Sequence, residues 1–250
     1  MDRKKLKKIA TVEARMSSSR LPGKVLLPLA GKPALERLVE RARRAKKIED
    51  VVIATTVNPQ DDPIVDWARK AGVSVFRGSE EDVLLRVLEA ARAFKGEVIV
   101  ELTGDCPLLD PAHIDELVGF WEESGLDYVS NTLERTYPRG FDTQVFARSV
   151  LEEVDRLTQD PADRENVSLY IYEHPQRYKL GGNTAPPELY GPDIRICTDT
   201  REDYEVIGRI YDALYPNNPA FGAREIMDYL RAHPEVAAIN ARIQQKKARA

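Results

Sequence analysis

Short β-branched apolar runs alternate with stretches whose apolar residues recur every three or four positions, and this alternation governs the first half of the chain. "KIATVEA" predicts a first strand, Val51–Thr56 a second, Val73–Phe76 a third, Glu97–Thr103 a fourth and "DYVSN" a fifth. Between them Leu35, Leu38, Val39 and Ala42 lie at helical spacing, as do Val83, Leu84, Val87, Leu88 and Ala91, and then Ile114, Leu117, Val118 and Trp121. Each set forms one apolar face of a helix and reads as core. Pro33 and Pro111 fall at first-turn positions, and Asp110 suits an N-cap. Strand and helix taking turns in this way predicts an α/β fold with a mostly parallel central sheet.

After Asn131 the rhythm changes. "RTYPRGFDTQVFARS" reads as a turn and an alternating strand, followed by helices over Val150–Leu157 and Ala162–His174. "RYKLGG" and "IRICTD" are strand candidates, "TREDYEVIGRIYDALY" is a strongly amphipathic helix, and "AREIMDYLRAHPEV" is a last helix. The closing "RIQQKKARA" reads as a frayed polar end. No linker, internal repeat or low-complexity tract interrupts the 250 residues, so a single domain over 1–250 is expected.

Composition narrows the class. With 31% charged and 42% hydrophobic residues the chain has the balance of a soluble globular protein. A net charge of -4 argues against nucleic acid as a partner, which calls for a basic face. The basic start "MDRKKLKK" is followed by too short an apolar stretch for a signal peptide, and no run is long enough to span a membrane, so the cytoplasm is the expected compartment. Cys106 and Cys197 show no metal-ligand or disulfide spacing, and His113, His174 and His233 are isolated, which disfavours a histidine-based metal site or a Ser-His-Asp triad.

Candidate chemistry concentrates in "ARMSSSRLPGK", Ala14 to Lys24, on the loop that leaves the first strand. A Walker A loop would align Gly23 and Lys24, but Ser18 and Val25 stand where glycine and Ser/Thr are required. A dinucleotide-binding GxGxxG also fails, for want of glycines. What remains is Arg15, Arg20 and Lys24 with Ser17, Ser18 and Ser19, a donor set suited to a triphosphate, or alternatively a solvated basic loop. Ligands of open α/β sheets bind outside the carboxyl ends of the strands, which is where this loop lies.

The run from Ala14 to Thr56 resembles the amino-terminal signature of the cytidylyltransferases that activate acidic sugars. "VFRGSEEDVLLRVLEAAR", "VELTGDCPLLDP", "DYVSNT", "YPRGFDTQVF", "DRENVSLYI" and "TDTREDYEVI" resemble, within that superfamily, the spore coat polysaccharide biosynthesis protein F group. The resemblance spans Ile9 to Leu230. It implies a three-layer nucleotidyltransferase fold of the GT-A-like kind with a small dimerisation arm, for which the segment from Thr136 is the candidate, and a homodimer. It implies transfer of CMP from CTP with Mg²⁺ to an acidic sugar or another anionic hydroxyl compound, with release of pyrophosphate.

By the same resemblance Ala14, Arg15, Ser17, Arg20, Lys24, Arg77 and Asp82 meet the nucleotide, with Arg15, Lys24 and Asp105 catalytic. Asp105 and Asp199 bind the metal, and Asp142, Arg139 and Arg164 orient the acceptor. More local roles compete. Asp105 could hold a Gly-Asp turn, Asp199 or Thr200 could cap a helix with Asp203, Asp142 could order the turn at Gly140, and Arg164 could be a surface partner of Glu165. Asp61 and Asp62 read as the start of a helix at Pro63, and Cys106 as packed. The chain departs from its relatives' usual pattern at Glu13, where they read QARM, at Leu85, at Phe141 with Gln144, and at Asn166 with Leu169. Two rivals follow. A nucleotide-sugar glycosyltransferase would want a DxD motif, but Asp105 is followed by Cys106 and Pro107. The other is a binding module without turnover, suggested by Glu13 and Leu85.

Overall fold

The computed structural model describes residues 2–246, 248 and 249. Strand β1 (Lys8–Glu13) leads through the long loop into a two-residue hairpin, β2 (Pro28–Leu29) and β3 (Lys32–Pro33), and then α1 (Ala34–Ala42). The next units are β4 (Asp50–Thr56), α2 (Asp62–Lys70), β5 (Ser74–Gly78), α3 (Val83–Ala93), β6 (Val98–Thr103) and α4 (Pro111–Ser124). There follow β7 (Tyr128–Ser130), β8 (Gln144–Ala147), α5 (Arg148–Leu157), α6 (Pro161–Glu165), α7 (Leu169–Glu173) and β9 (Leu180–Gly181). The chain closes with α8 (Arg201–Leu214), α9 (Ala223–Ala232) and α10 (Pro234–Ala238).

Among the described residues a seven-stranded sheet runs in the order β5-β4-β1-β6-β8-β7-β9. β1 pairs in parallel with both β4 and β6, while β8 runs antiparallel to β6 and β7. The chain therefore builds outward from β1 on one side and resumes at β6 on the other. The carboxyl ends of β1 and β6 form the switch point at which such sheets leave a crevice.

Alternation along the strands explains the three layers. Ala10, Val12, Val51, Ile53, Val98 and Val100 face α1, α2 and α4, whereas Ile9, Val52, Ala54 and Ile99 face α3, α5 and α7. Both faces of the central strands are covered, which is why they read as nearly unbroken apolar runs. Each such valine or isoleucine contributes roughly 1.5–3 kcal/mol by leaving water. A third cluster joins α8 and α9 to Leu29, Leu108, Tyr137 and Phe141.

Several expectations need correction. "IRICTD" forms a single bridge, Arg139 to Arg195, because the Thr198 amide turns away to donate to the Asp105 carbonyl at 2.7 Å. The expected helix over Ala162–His174 breaks into α6 and α7, where Asn166 leaves the helical conformation and its side-chain amide donates to the Ala162 carbonyl at 2.8 Å. Pro234 divides the last helix in two. The segment offered as an arm packs inward: Tyr137, Phe141, Val145 and Phe146 are buried. Gly140 makes this return possible, with φ of +114° and a position where an added Cβ would stand 2.6 Å from the Ile196 carbonyl oxygen. Among the described residues no helix is long and apolar enough to cross a membrane.

Candidate active site

The loop after β1 is shaped before any ligand arrives. Gly23 adopts a left-handed conformation with φ of 69°, and its amide and that of Ser18 both donate to the Met16 carbonyl at 3.0 Å. Asp61, fully buried, accepts from the Met16 amide at 2.6 Å and from the Thr56 hydroxyl. Asp61 thus does more than open a helix, since it ties the loop to the end of β4. Glu80 accepts from the Ser17 hydroxyl at 2.7 Å and from the Asn58 side-chain amide, and lies 3.7 Å from Arg15. These ties leave the basic side chains facing a cleft of about 580 Å³.

Asp105 and Asp199, 94 positions apart in sequence, meet there. The Lys24 ammonium lies 2.9 Å from Asp199 Oδ1 and 3.3 Å from Asp105 Oδ2, so a single cation bridges the two carboxylates. Arg20 stands 3.1 Å and Arg195 2.9 Å from Asp199 Oδ2. Gly104 allows the approach, since a Cβ there would sit 2.6 Å from the Glu13 carbonyl oxygen. Burial opposes ionisation of both Lys24 and Asp199, but their mutual attraction prevails: the ammonium is shifted up and the Asp199 carboxyl down, the latter with help from Arg20 and Arg195. Thr200 caps α8 in a capping box with Asp203, so Asp199 is free of the capping duty weighed for it.

Two carboxylates bracketing one cation suit Mg²⁺, which commonly takes one or two carboxylates and completes its shell with water and substrate phosphates. Among the described residues no cluster of three or more His, Cys, Asp or Glu side chains forms a closed metal cage. Lys24 lies between the two carboxylates.

The other expected site residues divide. Ala14, Arg15, Ser17, Arg20, Lys24, Arg139 and Asp142 all line the cleft. Asp142 is paired with Arg135, at 2.5 and 3.1 Å. Arg139 has no carboxylate within ion-pair distance among the described residues, and burial together with Arg135 lowers its pKa. Three residues lie outside the lining. Arg77 donates to the Thr56 and Asn58 carbonyls at 2.8 Å and pairs with Asp62 at 2.7 Å, bracing the end of β4. Asp82 caps α3 through the Leu85 amide and receives Arg164 at 3.0 Å, while Arg164 also holds Asp155 at 2.9 Å. Arg164 and Asp82 therefore spend their charge on joining α6 to α3.

Sequence reasoning passed over Glu101 and Arg86, both nearly buried and both lining the cleft. Their signal was a charged residue inside an apolar strand, "VIVELT", and inside an apolar helix face. It also missed the tail. Gln245, Lys246 and Ala248 line the cleft, Gln245 accepts from Arg195 at 2.6 Å, and Arg249 pairs with Asp160 at 3.0 Å and Glu173 at 2.7 Å. Gln245 and Arg249, in the end expected to fray, are docked; residues 247 and 250 of that end lie outside the described residues. Cys106 is packed as expected, its thiol pushed well up by burial, which makes it a poor nucleophile.

A mostly parallel three-layer sandwich, with a basic loop and two carboxylates at its switch point, defines an α/β nucleotidyltransferase. Residues 9–231 match the Cytidylyltransferase family model, and the chain belongs to that family as a CTP-dependent nucleotidyltransferase. It is 35% identical over 247 residues to Uncharacterized protein MJ1063 of Methanocaldococcus jannaschii, covering 98% of each chain. It is 36% identical over 231 residues to the Spore coat polysaccharide biosynthesis protein SpsF of Bacillus subtilis, covering 90% of this chain and 95% of that one. A solved cytidylyltransferase from Leptospira borgpetersenii superposes with a TM-score of 0.88 at 32% identity, over 97% of this chain and 100% of the other.

Proposed function

We propose that the protein transfers CMP from CTP, bound with Mg²⁺, to a hydroxyl of an acidic sugar, releasing pyrophosphate and feeding surface polysaccharide synthesis. The observation that carries this reading is the convergence of Asp105 and Asp199 on Lys24 at the switch point, beside a preformed basic loop. The relationship to SpsF supports the polysaccharide context.

In this reading Asp105 and Asp199 hold the ion. Once bound, Mg²⁺ supplies charge neutralisation on the phosphates and polarises the α-phosphoryl group. Lys24 leaves the carboxylates for the triphosphate, and Arg15 and Arg20 join it, offsetting charge that builds on the departing pyrophosphate. Ala14 and Ser17 frame the nucleotide. Arg139, lacking a carboxylate partner of its own, receives the acceptor's carboxylate, and Asp142, held by Arg135, accepts from its hydroxyls. Arg77, Asp82 and Arg164 act as braces of the scaffold.

Pyrophosphate release should be measured with each of the four nucleoside triphosphates, with and without Mg²⁺, against sialic-type, Kdo-type and phosphonate acceptors. CTP should be preferred. Asp105→Asn and Asp199→Asn should each lower kcat by about 100-fold or more. Full activity in both variants, or preference for another nucleotide, would overturn the reading.

A further inference from the structure

Beyond the phosphate loop, the floor of the cleft is acidic. Glu101 on β6 pairs in register with Thr11 of β1, and Glu13 lies two residues further along β1, so both carboxyls point to the same face of the sheet. Both line the cleft, and Glu101 is only 5% exposed. Glu13 Oε1 and Glu101 Oε2 are buried without a hydrogen-bond partner among the described residues. Two adjacent carboxyls, each with a buried and unused oxygen, are costly in a folded protein, so a bound group that satisfies both would gain by it.

The neighbourhood does not supply that group. Ser168 donates its hydroxyl to Gln144 Oε1 at 2.7 Å, and Tyr128 donates to the same oxygen at 2.6 Å; Ser168 and Gln144 also act on Glu101 as neutral hydrogen-bonding groups, which lowers it only in part against burial, and Glu101 Oε2 is left without a partner. Arg86 is held by the carbonyls of Ser79 and Glu80; its charge acts on Glu13, but among the described residues it forms no ion pair with either glutamate, and one cation faces two carboxyls. The missing complement is a group with several donors and a positive charge. A primary ammonium, with three N–H donors and a single charge, has that chemistry.

We propose that Glu13 and Glu101 form a subsite for a primary amine on the acceptor, so that the preferred acceptor is an amino-bearing sugar acid with its nitrogen free of acyl groups. The inference rests on the cytidylyl-transfer reading and names the acceptor class within it. Carboxyl behaviour agrees: burial raises Glu101 to about 7 and lifts Glu13 well above its usual range, each glutamate is next to the other, and Asp105 adds to the rise at Glu13 while Arg86 opposes it. Tyr128 and Tyr172, the other titratable groups near Glu101, stay neutral across the physiological range because burial raises them. An incoming ammonium would satisfy the same oxygens that burial makes costly to ionise.

Two measurements test the subsite. In protein carrying glutamate labelled with ¹³C at Cδ, the Glu13 and Glu101 signals are identified by their loss in Glu13→Gln and Glu101→Gln. Should a variant not fold, Glu13→Asp and Glu101→Asp identify the two signals instead. Methylammonium chloride should shift both signals saturably, and sodium chloride at equal ionic strength should not. No shift, or the same shift with sodium, overturns the proposal. In pyrophosphate-release assays with paired acceptors, the free amine should exceed its N-acetyl form by about tenfold in kcat/KM, and the double Gln variant should level the two through the acceptor's KM. Equal use of both forms by the unaltered enzyme, or a variant effect confined to the KM for CTP, overturns it. If no acceptor is turned over at all, the transfer reading fails, while the carboxyl titration still decides the subsite.

Discussion

Glu101 and Asp199 are both buried carboxyls, yet their surroundings push them in opposite directions. For Glu101 burial outweighs the hydrogen bonding of Ser168 and Gln144, and its carboxyl rises to about 7 from an ordinary 4.5. Its protonated form is favoured in the folded state, so its contribution is fully present below about pH 4.5 and is lost as pH rises toward 7. Glu101→Gln should therefore match the unaltered protein near pH 4.5 and exceed it by roughly 1–3 kcal/mol at pH 8. Urea unfolding at the two pH values checks this, and equal stability at pH 8 would contradict it. Asp199 is also desolvated, but Lys24, Arg20 and Arg195 overcome that and lower it. Its contribution is present above the ordinary aspartate value of 3.8 and disappears as pH falls through its lower folded value. At this scale the sequence placed Asp105, Asp199 and Lys24 after strands, and the structure brings the three together. The sequence did not show that Arg77 pairs with Asp62 and Arg164 with Asp82 and Asp155, because a motif shows that a charge is present but not which neighbour takes it.

The elements carry the site through a few unusual joints. Gly140 turns with a left-handed φ against the Ile196 carbonyl, and this turn delivers Arg139 and Asp142 to the cleft. Gly140→Ala combines backbone strain with a clash against backbone and should cost about 1–3 kcal/mol, read as a lower melting temperature. The Arg164 fork to Asp82 and Asp155 fastens α6 to α3 and the end of α5. Arg164→Ala should therefore lower the melting temperature more clearly than it raises an acceptor's KM; the reverse result would return Arg164 to the binding site. Most strands were legible from β-branched runs with two covered faces. "IRICTD" has the same composition but not the partner, for a strand exists only where a neighbour takes its hydrogen bonds. The break between α6 and α7 was hidden because apolar spacing continues across it.

At the scale of the whole molecule, the tail crosses from α10 to the cleft. Gln245 meets Arg195, and Arg249 reaches Asp160, Asp163 and Glu173 on and beside α6 and α7. The Arg249 pairs with Asp160 and Glu173 are open to solvent, where ion pairs add little to stability, whereas Asp163 is buried and also accepts from the Thr158 hydroxyl. Removing residues 244–250 should lower the melting temperature only modestly, since Asp163 keeps Thr158 and Arg195 keeps Asp199 and Asp203, while raising the KM for substrates several-fold, because part of the cleft wall goes with them. Initial rates and a melting curve on the shortened chain distinguish this from a passive tail, which would change neither.

By itself the sequence determined the α/β class, the mostly parallel sheet, the basic loop after β1 and the carboxylates at Asp105 and Asp199. Each depends on local periodicity or on residue chemistry carried within one segment. Only the tertiary structure decided that Lys24 bridges those carboxylates, that Arg77, Asp82 and Arg164 brace the scaffold, and that Glu13 and Glu101 share a buried floor. These depend on which strands and helices become neighbours. A side chain's charge is a property of its residue, but its role follows from what lies within a few ångströms of it after folding.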